Sequence, residues 1–307
     1  MTSSGPVIPR DEPPFDRAAL ERLLAGLRPK LHRYCARITG SVIDGEDVLH
    51  EALIKAIEAL PTAGVVENPE AWIFRIAHNT ALDFLRHRAR IAAVRSDEDI
   101  TMVADPAVVE EERLAAAASL HTFMRLPVSQ RSAVILKDVL GYSIEEVGAI
   151  LGEATLAAVK STLHRGRERL RELAAEPEQP HASAPTLSAA ERSLLAAYIE
   201  RFNARDFDGL RSMLANEVHL DLVSRTRVDG RAEVSKYYGY YERLTDWRFS
   251  LGAVEGRPAA LAFDPSRPGS PPIYFVLLGW QSGKLADIRD FRYARYVTDG
   301  ADWRVLD

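Results

Sequence analysis

The feature that most restricts this chain is a change in the period of its apolar residues. Up to Leu173 they recur three or four positions apart, with little proline, which is the spacing of amphipathic helices. After the run AAEPEQPHASAPT (174–186) and one more helical segment, LSAAERSLLAAYIERFNARDF (187–207), the period falls to two in VHLDLV (218–223), WRFSL (247–251), IYFVLLGW (273–280) and ADIRDFRYARYV (286–297). One layer architecture cannot satisfy both periods, so the chain is multidomain. A flexible tail (1–16) precedes an all-α helical domain (17–92), an acidic linker (93–118) and a second all-α domain (119–175). A proline- and alanine-rich linker (176–187) then leads to a helix-first α+β domain (188–307) with a curved sheet.

Composition narrows the function classes. The chain has 307 residues, enough for two or three domains, and no internal repeat. Cys35 is its only cysteine, which excludes an internal disulfide framework and any multi-cysteine zinc site; no metal and no cofactor are expected. No apolar run approaches the roughly 20 residues that span a bilayer. The opening MTSSGPVIPRDEPPFDR lacks the apolar core of a signal peptide, so a cytoplasmic location without a membrane partner is expected.

The formal net charge is −5, yet VKSTLHRGRERLREL (159–173) is dense in cations. On a helical wheel Val159, Leu163, Gly166, Leu170 and Leu173 form one apolar stripe. Arg169, Arg171, Glu168 and Glu172 read as a solvated face with local ion pairs. The earlier cations are placed differently by what precedes them. Ser143 and Glu146 stand at capping-box spacing, Gly152 at a helix stop, and Thr155 at a new cap. Two short helices around a glycine turn make a helix-turn-helix, whose second helix enters the DNA major groove. Thr155, Lys160, Ser161, His164, Arg165 and Arg167 are the candidate DNA contacts there.

The run LPVSQRSAVILKDVLGYSIEEVGAILG followed by VKSTLHRGRERLREL resembles the promoter −35 recognition domain, region 4, of extracytoplasmic-function sigma factors of RNA polymerase. GEATLAAV is one residue longer than the commonest form of that turn. DGEDVLHEALIKAIEAL (44–60) resembles the region 2 helix that grips the clamp helices of the polymerase β′ subunit, and AWIFRIAHNTALDFLRHRAR (71–90) the −10 element helix. The resemblance implies core polymerase (β′ clamp helices and β flap) and promoter DNA as partners, with Asp47, His50, Glu51 and Ile54 on the polymerase side. On the −10 side it implies Arg75, Asn79, Arg86, Arg88 and Arg90, with Asp83 pairing with an arginine, while the loop PTAGVVENPE (61–70) captures a flipped −10 base. The acidic stretch, with Asp97, Glu98, Asp99, Glu110, Glu111 and Glu112, reads either as a solvated tether or as a channel-threading linker. A protein of this family is not an enzyme; it directs promoter-specific transcription initiation.

Residues 188–307 resemble a SnoaL-like cone, the fold of polyketide cyclases and nuclear transport factor relatives. AAYIERFNARDFDGLRSMLANEVHLDL carries the helix, the turn, a second helix and the first strand. Such cones enclose a pocket, so an unidentified small ligand is a further candidate partner, with His219, Asp221, Tyr237, Tyr241 and Trp247 as candidate lining. Asp287 and Asp290 fall on opposite faces of a regular strand, which breaks the simplest acid–base constellation, so a regulatory module is the expectation. The alternative is a DNA-binding regulator fused to an active cyclase- or isomerase-like cone.

Overall fold

The computed structural model describes residues 16–92, 108–176 and 187–306. These form two compact units, an all-helical one up to Ala175 and a β-rich one from Glu176. The terminal tail (1–15) and Asp97, Glu98 and Asp99 lie outside the described residues.

In the helical unit, α1 (Arg17–Thr39) begins where Asp16 accepts from the Ala19 amide and stops at Gly40. Ser41 caps α2 (Val42–Ala59), and Asn68 accepts from the Ala71 amide at 2.9 Å to start α3 (Pro69–Ala92), with a 3₁₀ turn (Leu60–Thr62) between. Gly45 lets α2 lie on α1, because a Cβ there would stand 2.6 Å from the Ala36 Cα.

The second helical set is α4 (Val108–Ala117), α5 (Leu120–Met124), α6 (Val128–Val134), a π-turn (Ile135–Val139), α7 (Ile144–Leu151) and α8 (Leu156–Ala175). The stretch read as an acidic linker thus ends in a helix, and its Glu111 is buried. All five residues of the expected α8 stripe are buried, but Glu168, read as solvated, is buried with them. A Cβ at Gly166 would stand 2.7 Å from Val134, so the glycine is what allows α8 to cross α6 closely.

The two helical sets do not have separate cores. One apolar cluster runs from Leu20 through Phe74 and Leu136 to Leu173. Polar contacts reinforce the seam. The buried Arg131 guanidinium donates to the Ile38 carbonyl at 2.6 Å and to the Leu126 and Met124 carbonyls at 2.9 and 3.2 Å. Burial lowers its pKa to about 10. The Tyr142 hydroxyl donates to Glu70, which also accepts from Lys30 at 2.7 Å, and Lys30 lies 3.9 Å from the Tyr142 ring centroid. Burial would raise the Glu70 pKa, but the hydrogen bonds from Lys30 and Tyr142 and the lysine charge outweigh it and hold the carboxyl below its ordinary range.

The β-rich unit opens with α9 (Ala189–Asn203), started by a capping box of Ser188 and Glu191, and α10 (Phe207–Met213). The strands are β1 (Leu214–Leu222), β2 (Thr226–Asp229), β3 (Arg248–Val254), β4 (Arg257–Phe263), β5 (Tyr274–Gln281), β6 (Lys284–Asp290) and β7 (Trp303–Val305), with α11 (Arg231–Tyr241) between β2 and β3. The order is β2-β1-β6-β5-β4-β3-β7, antiparallel except for the parallel pair β1–β6. The sheet therefore runs open between two edge strands, with one apolar face packed against α9 and α11. The asparagine-alanine-arginine-aspartate turn is a staple. Asn203 exchanges two hydrogen bonds with the Phe249 backbone, and Arg205 donates to the carbonyls of Tyr241, Glu242 and Leu244 at the end of α11. Asp206 caps α10. ADIRDFRYARYV is not one strand: pairing ends at Asp290, and the chain turns back through Ala294 N–H to the Phe291 carbonyl.

Candidate nucleic-acid interface

The helix-turn-helix forms from its local signals. Ser143 and Glu146 make the reciprocal capping box of α7, Gly152 takes a left-handed φ of 72°, and Thr155 Oγ1 accepts from the Ala158 amide at 3.2 Å. Burial of Val159 and Leu163 turns the opposite side of α8 outward. Thr155, Lys160 and Ser161 are exposed there, and His164 and Arg165 are half-buried beside them. Arg167 follows Lys160 by two turns, but its side chain does not reach outward. Its guanidinium donates to both Asp138 carboxylate oxygens at 3.0 and 2.6 Å and pairs with Glu111 at 2.9 Å. Arg171 adds a second contact to Glu111 at 3.1 Å. Arg167 therefore fastens α8 to the π-turn and α4 instead of reaching outward. Of the residues read as solvated, Arg169 and Glu172 do form the expected surface pair at 2.7 Å.

On α3, Arg75, Asn79, Arg86 and Arg90 are all exposed. At 3.6 residues per turn they fall within an arc of about 60°. Asp83 shares that stripe and pairs with Arg86 at 2.8 Å. Arg88 is exposed but points away from the others, donating to the Thr39 carbonyl at 3.3 Å and approaching Asp44 at 3.6 Å. Behind the stripe, His78 accepts from or donates to the Tyr34 hydroxyl at 2.7 Å, and burial lowers its pKa to about 4. The loop before α3 exposes Val65 almost completely, at 92%.

The α2 surface is equally ordered. Asp47, Glu51 and Ile54 are exposed at helical spacing with His50 half-buried among them, and Glu51 pairs with Lys55 at 2.7 Å. Glu46, one residue from Asp47, turns inward instead and pairs with Arg28 at 2.5 Å.

In the β-rich unit the candidate ligand residues separate into two groups. Tyr237 and Tyr241 are buried and both donate to Asp290 Oδ2, at 2.9 and 2.7 Å. The Arg292 amide donates to Asp290 Oδ1 at 2.8 Å, and the Arg292 side chain links Tyr274 to Asp246. Burial raises the Asp290 pKa against those hydrogen bonds. Trp247 is buried beside them without a hydrogen-bond partner for its Nε1. His219 and Asp221 lie elsewhere: His219 is exposed and bonded to Asp229 at 2.5 Å, which raises its pKa, and Asp221 approaches Arg227 and Arg289. Asp290, which sequence reasoning left out of the candidate pocket lining, is the centre of the buried polar group. Among the described residues no group of three or more His, Cys, Asp or Glu side chains could hold a metal ion, and no helix is long and apolar enough to cross a membrane.

Comparison with known proteins bears on the helical unit as a whole. Residues 23–91 match the family model for Sigma-70 region 2 and residues 120–170 that for Sigma-70, region 4. The ECF RNA polymerase sigma factor SigE of Mycolicibacterium smegmatis is 34% identical over 196 residues, covering 57% of this chain and 74% of the relative. SigM of Mycobacterium tuberculosis is 35% identical over 158 residues, covering 52% and 78%. Among solved structures, the Mycobacterium tuberculosis extracytoplasmic function sigma factor SigJ aligns over 88% of this chain and 95% of its own at 20% identity and a TM-score of 0.34. An NTF2-like protein of unknown function from Cytophaga hutchinsonii aligns over 32% and 96%, at 13% identity and a TM-score of 0.25. With both sigma regions in order and three quarters of a relative's length covered at this identity, the chain belongs to the extracytoplasmic-function sigma factors of RNA polymerase, a family of transcription-initiation factors.

Proposed function

We propose that this chain binds core RNA polymerase through the Asp47–Glu51–Ile54 face of α2, with His50, while the β flap engages region 4. The α3 stripe Arg75, Asn79, Arg86 and Arg90 then tracks the −10 element, and the outer face of α8 reads the −35 element. The observation that carries this reading is the exposure of aligned cationic and hydrogen-bonding side chains on two helices whose other faces are buried. That arrangement suits phosphate contact with base readout between. Arg88 and Arg167 take supporting positions within the helical unit. Run-off transcription with core polymerase and genomic fragments tests it: a limited promoter set is expected, and the pair Arg86→Glu with Arg165→Glu abolishes initiation. Unchanged initiation by that pair refutes the reading.

The β-rich unit is a SnoaL-like regulatory module in this proposal. Its interior supports that role, since Phe202 packs edge-on against Tyr241, Trp247 and Phe249 at centroid separations of 4.8–5.0 Å, which is core packing. Truncation after residue 187 alters promoter activity; equal transcription by both forms across conditions removes the regulatory assignment. A catalytic module is the second reading, favoured by the buried Asp290 carboxyl between two tyrosine hydroxyls. Turnover of a polyketide-like substrate that is lost in Asp290→Asn would establish it.

A further inference from the structure

Leu156 is the first residue of α8, and 45% of it is exposed. It belongs to no core cluster: the buried stripe of α8 starts one turn later, at Val159. Thr155 caps the helix immediately before it, so its backbone is held in place. Leu156 stands one turn before both Val159 and Lys160, where the apolar stripe runs out at the exposed N-terminal end of α8, the end of a recognition helix that reaches base edges. An aliphatic side chain on such a face can neither neutralise a phosphate nor hydrogen-bond a base edge. In the major groove the apolar group that a base pair presents is the C5-methyl of thymine.

We infer that Leu156 reads a thymine methyl in the −35 element and sets the base preference at that position. The inference rests on the proposed DNA-reading role of α8 and adds to it one residue and one base.

The experiment uses the full chain assembled with core polymerase, on a promoter mapped for that holoenzyme. Each thymine of the −35 element is replaced singly by uracil, which deletes the methyl and keeps every hydrogen-bonding group. For the unsubstituted protein, one replacement lowers promoter binding about fourfold, the value of one buried methyl. Leu156→Ala is insensitive to that replacement and keeps its sensitivity elsewhere, and Leu156→Met, which retains an apolar reach, keeps the methyl dependence. Equal methyl dependence in the protein and Leu156→Ala overturns the inference. So does a uniform loss across all promoters in Leu156→Ala, which marks the residue as a polymerase contact or a folding determinant. A holoenzyme that selects no −35 sequence at all overturns the DNA-reading role itself, a result separable from the other two.

Discussion

The seam between α3 and α7 makes a quantitative prediction about how this protein engages polymerase. A compact body of some 150 residues is about 40 Å across, whereas promoter elements 25 base pairs apart are separated by about 85 Å. Under the proposed function, the helical unit, with its one continuous core, must part along the seam to touch both. Tyr142→Phe removes the hydroxyl that donates to Glu70 and keeps the ring beneath Lys30. A hydrogen bond to a charged acceptor contributes about 1.5–3 kcal/mol. Glu70 and Lys30 each keep about a third of their exposure, which sets the expectation at the lower end, about 1.5 kcal/mol. That shifts the balance between closed and parted forms about tenfold, and the apparent affinity for core polymerase rises by up to the same factor. Two measurements check this. Fluorophores on cysteines introduced at the exposed positions Glu58 and Glu153 report the separation of the two helical sets. Cys35 does not compete for label, being buried with its thiol pKa pushed up by burial. Titration of core polymerase gives the affinity. An unchanged distance distribution together with unchanged or weaker polymerase binding would refute the reasoning, and a cycle combining Tyr142→Phe with Glu70→Gln assigns any effect to this pair.

Three further outcomes follow from particular side chains. Arg167→Met leaves buried Asp138 and Glu111 without this cation, so thermal stability of the helical unit falls by about 3–5 kcal/mol while base preferences in the −35 element stay the same. Lys160→Ala removes one exposed cation from the outer face of α8, and the slope of log affinity against log salt becomes shallower by about 0.9. His78 stays neutral in the folded state down to about pH 4, whereas an unfolded chain protonates it near 6.5. Between those values the unfolded state binds the extra proton. Its contribution therefore destabilises the fold as pH falls, by about 3 kcal/mol in total, and hydrogen exchange in α3 of the protein and of His78→Gln measures the difference.

What the sequence shows depends on how far apart the interacting residues are. Ser143, Glu146, Gly152 and Thr155 act within one helical turn of themselves, so the helix-turn-helix is legible from spacing alone. The exposed stripe of α3 is legible for the same reason, as a period. Arg131 is not, because its Ile38 partner lies 93 positions away and nothing local distinguishes it from a surface arginine. A separation of 72 positions likewise hides the Tyr142–Glu70 contact, and with it the merging of two helical sets into one core. Arg167 looks like a DNA contact because its neighbours are cationic, while the acids that hold it belong to the π-turn and α4. In the β-rich unit, β4 escapes notice because it carries Pro258 and is buried on both faces, so its residues do not alternate. The tyrosines of α11 have the composition of a strand, and only their placement against the sheet makes them a helix.

Glu111 gives the front of the molecule a mechanical property. Its carboxylate sits between Arg167 and Arg171 of α8, the helix proposed to read DNA, and ties that helix to α4. A displacement of α4 is passed to α8 through these two ion pairs. The connection works as a handle on α8, and under the proposed function the setting of α4 would bear on the angle at which α8 meets the groove.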